Sequence, residues 1–76
     1  MNIFSSKIYK LKCENITYSE GDVLNSIEWY DGDYDITRYL ENVTIEKIGE
    51  NILTIDTNRD YGRFEDIWIC DIANIK

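Results

Sequence analysis

Asp31, Asp33 and Asp35 stand two residues apart in the stretch 26–39, SIEWYDGDYDITRY, together with Glu28 and the rings of Trp29, Tyr30, Tyr34 and Tyr39. Carboxylates at this spacing suit three kinds of chemistry: chelation of a hard cation, acid and base catalysis, and attraction of a cationic partner. Chelation fails on its own pattern. A calcium loop opening at Asp31 needs Gly at its sixth position and Glu at its twelfth, where this chain has Ile36 and Asn42. Zinc is no better served, because Cys13 and Cys70 supply only two of the four ligands a structural site needs and the chain has no histidine. No metal is expected.

The missing histidine also removes the commonest general base and excludes Ser-His and Cys-His nucleophiles. Gly21, Gly32, Gly49 and Gly62 are scattered singly, so no glycine-rich loop is present to cradle a phosphate. Paired carboxylates can hydrolyse glycosides, but only across a substrate cleft that 76 residues can hardly build. The chain is therefore expected not to be an enzyme and to use no cofactor.

Charge distribution favours the third use. Fifteen Asp and Glu against eight Lys and Arg give a formal net charge of -7. Residues 13–37 hold Glu14, Glu20, Asp22, Glu28, Asp31, Asp33 and Asp35 without one Lys or Arg. A patch of one sign draws cationic partners and speeds their encounter. It opposes direct binding to nucleic acid, where Lys and Arg contacts to phosphate supply most of the affinity. Side chains two apart on a strand lie about 6.8 Å from one another, about twice the axial rise per phosphate of one DNA strand. A row of carboxylates can thus stand in for alternate phosphates. Tyr18, Tyr30, Tyr39 and Tyr61 add rings of the kind that anchor interfaces and stack on arginine. A purely solubilising outer face competes with this reading.

Positioning these residues falls to short strands. At 76 residues and 43% hydrophobic the chain makes one small domain, 1–76, with one modest core. Residues 7–13 alternate, with Tyr9, Leu11 and Cys13 on one side and Lys10 and Lys12 on the other. Residues 23–30 read as a strand that ends at Asp31-Gly32, a two-residue type I′ hairpin signal. That turn sets Trp29 opposite Tyr34, Ile27 opposite Ile36 and Glu28 opposite Asp35. The first four residues make a buried face, and the opposed Glu28 and Asp35 make a like-charge pair that costs stability. A second hairpin with a loop at 48–50 sets Ile45 opposite Leu53 and Val43 opposite Ile55. Residues 56–62 read as a loop, 67–70 as a central strand that is apolar on both faces, and the tail as a short strand or one helical turn.

Five or six such strands predict a mainly β fold: a small antiparallel meander closing into an SH3-like, Sm-like or OB-like barrel. The alternative is an α+β arrangement with one short helix at 19–26. Cys13 and Cys70, each in an apolar run, are expected to be buried free thiols. The N-terminus carries Lys7, Lys10 and Lys12 and no long apolar run, so neither a signal peptide nor a membrane span is expected. The expected location is the cytoplasm. Heavy use of Ile, Asn and Tyr with scarce Ala and Pro is what an AT-rich coding sequence of a low-GC bacterium or phage produces.

These features point to a non-enzymatic acidic binding protein whose partner is a basic protein surface. The expected role is a small inhibitor, DNA-mimic-like or of the anti-CRISPR kind that phages deploy, occupying the basic groove of a nuclease or other nucleic-acid-handling protein in the host cytoplasm. The expected contact residues are Glu28, Tyr30, Asp31, Asp33 and Asp35, with Glu20 and Asp22 in support. The alternative is a ligand sponge in which Arg59, Tyr61 and Arg63 hold a nucleotide and subunits pair as a homodimer through strand edges. A structural assembly subunit is the third reading.

Overall fold

Strands form where apolar and polar residues alternate cleanly, and the computed structural model describes them over residues 3–5 and 10–76. β1 (Ile3–Ser5), β2 (Leu11–Cys13) and β3 (Ile16–Tyr18) make one antiparallel sheet. β4 (Val23–Asp31), β5 (Ile36–Ile48), β6 (Ile52–Asp56), β7 (Phe64–Trp68) and β8 (Ile72–Ile75) make a second, in the order β7-β6-β5-β4-β8. The fold is mainly β, as the alternation predicts, but the described residues form eight strands in two antiparallel sheets instead of five or six in one meander, with β1 and β3 the short strands that the alternation did not mark. Residues 19–26 form a turn and the start of β4, so the helix of the α+β alternative is absent there. A single 3₁₀ turn, Ile69–Asp71, joins β7 to β8 and so links the two edges of the larger sheet.

One core lies between these elements. Leu11 reaches it from the small sheet, and Leu24, Ile27, Trp29, Val43, Ile45, Ile48, Leu53, Ile55, Ile67, Ile69, Ile72 and Ile75 from the large one and its 3₁₀ turn. Each fully buried Leu or Ile contributes about 1.5–3 kcal/mol over its exposed state. β4 contributes Leu24, Ile27 and Trp29 to the core and β5 contributes Val43, Ile45 and Ile48, with Leu40 packed against it, because both strands change inward parity midway, between Leu24 and Ile27 and between Leu40 and Val43. Asn42 sits at that bend with a φ of 55°, a left-handed conformation that asparagine tolerates better than most residues.

Both predicted hairpins form, each in a different register. Asp31 pairs with Ile36 across a four-residue turn, so Trp29 faces Arg38, Ile27 faces Leu40 and Glu28 faces Tyr39. The type I′ turn fails because neither Asp31 nor Gly32 takes a positive φ, and the left-handed residue is Asp35, with a φ of 53°. The slip is an even number of residues, so β4 keeps its buried face while Tyr34 and Ile36 become exposed. In the second hairpin Ile45 faces Ile55 and Ile48 faces Leu53. The Gly49 N–H donates to the Ile52 carbonyl at 2.8 Å, closing a tight turn, and a bulge between Ile45 and Lys47 absorbs the extra residue. A Cβ at Gly49 would lie 3.1 Å from that carbonyl, a tight approach that a larger residue could make only if the turn shifted by a few tenths of an ångström.

Leu11 and Cys13 are buried and Lys10 and Lys12 exposed, as the alternation predicts; Lys7 and Tyr9 lie outside the described residues. The segment at 67–70 is not a central strand. β7 is an edge that ends at Trp68, which is 56% exposed, and the chain turns there, leaving Cys70 exposed. Cys13 is the buried free thiol, its pKa pushed up by burial first and by the neighbouring Glu14. The tail forms β8, whose end is tied to β4 by the Lys76 N–H donating to the Ser26 carbonyl at 3.0 Å.

Candidate functional site

The new register dissolves the opposed charges on which the sequence reading rests, since Glu28 faces Tyr39 and Asn74 instead of Asp35. The turn at 32–35 is built by its own carboxylates. Asp31 accepts the Asp33 N–H through Oδ1 at 3.0 Å and the Arg38 Nε–H through Oδ2 at 2.6 Å. The Tyr30 hydroxyl donates to Asp35 Oδ1 at 2.7 Å, and the Arg38 guanidinium lies 5.3 Å from the centre of the Tyr34 ring. The hydrogen bond from Arg38 holds the Asp31 carboxyl below its ordinary range, and Asp35 raises the Tyr30 phenol above its own. Asp33 and Asp35 are turn residues, so a strand-spaced row of carboxylates does not exist.

Two supporting acids are likewise structural. Glu20 Oε2 accepts the Ile48 N–H at 3.0 Å and Asp22 Oδ2 accepts the Ser19 N–H at 2.8 Å. Both satisfy backbone donors that turns and strand ends leave open.

The structure assembles a different acidic site from two distant parts of the chain. A depression of about 370 Å³ lies between the end of β4 with its turn and the β7 edge with the 3₁₀ turn. Its carboxylates are Asp31 and Asp33 from the first part and Glu65, Asp66 and Asp71 from the second. Trp29, only 5% exposed, underlies it, and the exposed rings of Tyr30 and Trp68 border it. Among the described residues no Lys or Arg lines it. Asp66 accepts the Thr54 hydroxyl at 2.6 Å, a neutral partner that leaves its charge uncompensated. Asp31 is ion-paired with Arg38, and Glu65 lies close enough to the same guanidinium to act on it electrostatically. Among the described residues no three His, Cys, Asp or Glu side chains converge closely enough to hold a metal ion. Spread carboxylates around aromatic rings suit extended organic cations, lysine and arginine side chains above all.

Glu65, Asp66 and Trp68 escaped the sequence reading because their segment reads as a central strand, and Asp71 because it opens a tail that reads as a short strand or one helical turn. The signal against that reading was present: adjacent Glu65 and Asp66 place a charge on both faces, which a strand buried on both sides does not tolerate.

The loop at 57–63 is clasped, not open. Arg63 reaches back to the buried Asp56, Nη2 to Oδ2 at 3.0 Å, and the Thr57 N–H donates to the Arg63 carbonyl at 2.7 Å. The hydrogen bond from Arg63 comes first among the causes that lower the Asp56 pKa. Tyr61 is 94% exposed, and Arg59 lines another depression, of about 330 Å³, beside Arg38 and Tyr39. No protein-family model, curated protein or solved structure matches the chain. No helix among the described residues is long and apolar enough to cross a membrane.

Proposed function

We propose that this chain is a non-enzymatic acidic binding protein that engages a basic partner protein through the depression between the β4–β5 turn and the β7 edge. The observation that carries the reading is that depression itself: five carboxylates and two exposed rings with no lining cation. With a net charge of -7 behind it, such a surface steers a basic partner and opposes polyanions. The role that suits it is a small cytoplasmic inhibitor that takes the place of nucleic acid on a nuclease or similar protein. Its contact set differs from the one read in the sequence. Asp31, Asp33 and Tyr30 remain, Glu65, Asp66, Trp68 and Asp71 join them, Glu28, between Tyr39 and Asn74, falls outside the depression, and Glu20, Asp22 and Asp35 serve the fold. The nucleotide-sponge reading loses support, because Arg63 is committed to Asp56. We also read the larger sheet as an incompletely closed SH3-like barrel, since β8 returns beside β4 and the 3₁₀ turn draws β7 and β8 toward one end.

Binding of the partner retrieved from host extract tests this. Affinity should fall at least tenfold between 50 and 300 mM salt, and duplex DNA should compete with the protein for that partner. A complex indifferent to both salt and DNA would sink the reading.

A further inference from the structure

β7 borders the depression and is also an unpaired edge of its sheet. The Thr57 N–H donates to Arg63 and the Ile69 N–H to Asn51, and the register between β6 and β7 runs unbroken from Asp56↔Phe64 to Ile52↔Trp68. Antiparallel pairing alternates, so residues 63, 65, 67 and 69 turn their backbone groups toward β6. The N–H and C=O of Phe64 and Asp66 and the N–H of Trp68 therefore point away from the sheet. Among the described residues no backbone partner meets them. Five-residue edges with exposed rings at Phe64 and Trp68 invite strand addition unless something discourages it.

Charge selects the occupant. A second copy pairing antiparallel and symmetrically on β7 would set Asp66 against Asp66 and bring together two chains of net charge -7. An extended segment with Lys or Arg at alternate positions meets the opposite field: Asp66 on the edge, and Glu65, Asp71 and Asp33 around the adjoining depression. Its cationic side chains lie within reach of the Trp68 and Tyr30 rings while its backbone completes the hydrogen bonds that β7 leaves open. We infer that β7 is a docking edge for an extended basic segment of the partner protein, which adds to the sheet as a sixth strand. This rests on the acidic-surface reading above and adds to it the mode of attachment.

The test uses the full chain and a synthetic probe, an acetylated and amidated peptide of four Lys-Val repeats. Two further probes carry N-methyl groups on all valines or on all lysines, which blocks one backbone edge or the other and keeps the charge. With the plain peptide, amide exchange at Phe64 and Asp66 should slow at least tenfold. The N-methylated peptide whose blocked edge faces β7 should bind at least tenfold more weakly than the plain one. If both N-methylated peptides bind as tightly as the plain one, or protection falls on β3 or β8 instead, the docking edge is wrong while the acidic surface survives. If no cationic peptide binds at 50 mM salt, both readings fall together.

Discussion

The tip of the β4–β5 hairpin and the β7 edge with its 3₁₀ turn are both rich in carboxylates and aromatic rings, yet they use them in opposite ways. At the tip, Asp31 holds Arg38 and the Asp33 amide, and Asp35 holds Tyr30, so the charges are components of the turn. Along the edge, Asp66 meets only the Thr54 hydroxyl, and Asp71 only the Cys70 thiol at 3.9 Å. Neither of these two carboxylates is ion-paired among the described residues. The density of acids along a sequence therefore measures neither their availability nor their cost. The sparser region is the more available one.

What the two regions share should give the largest effect when removed. Trp29 underlies both and is almost fully buried, so Trp29→Ala should destabilise the protein by about 3–5 kcal/mol in urea unfolding. A loss below about 1 kcal/mol would mean that each region has its own support.

The sharpest contrast comes from neutralising one charge in each region. Arg38→Gln frees Asp31, so the melting temperature should drop while affinity for a cationic peptide rises roughly two- to fivefold. Asp71→Asn should do the reverse, weakening binding roughly two- to fivefold with the melting temperature held or raised, because it relieves self-repulsion. Parallel shifts in the two variants, read by calorimetry and titration, would erase the distinction between a structural tip and a receptive edge.

Acid should produce the smallest effect, at the tip through Asp31 and in the 57–63 loop through the Asp56–Arg63 pair. Arg38 lowers the Asp31 carboxyl from its ordinary value of 3.8, so the folded state holds fewer protons there than the unfolded state. The stabilisation is complete above about pH 4 and is lost as pH falls through the lowered value. The stability gap between the wild type and Asp31→Asn, measured by denaturant unfolding, should stay constant from pH 7 to about pH 5 and narrow progressively as pH falls below about 4. A gap that does not narrow at all between about pH 5 and about pH 3 would show that Asp31 acts through something other than its charge.

Strand positions were legible wherever one face is buried, because alternation at Leu11 and Cys13, at Ile27 and Trp29, and at Leu53 and Ile55 is the direct trace of burial. Registers were not. The Asp-Gly at 31–32 matches a common hairpin rule, but Asp31 has stronger local partners in Arg38 and the Asp33 amide, and these hold a wider turn. The bulge after Ile45 gave no signal either, since Glu46 and Lys47 are ordinary exposed strand residues. Asp31, Asp33 and Tyr30 were found in the sequence for a reason that did not survive, the opposition of Glu28 and Asp35. Trp68 and Asp71 were missed because edge and centre are properties of the sheet order, and a short apolar run reads alike in both.

The sequence by itself determined the mainly β class, inward positions such as Leu11, Ile27, Trp29 and Ile55, and the lack of histidine, because composition and period-two alternation depend on near neighbours alone. It also determined the sign of the field, which follows from counting charges. Only the tertiary structure decided which carboxylates remain free and where they meet. That depends on two registers and on a sheet order that brings residue 33 beside residue 66, and no local pattern encodes a pairing between segments thirty residues apart.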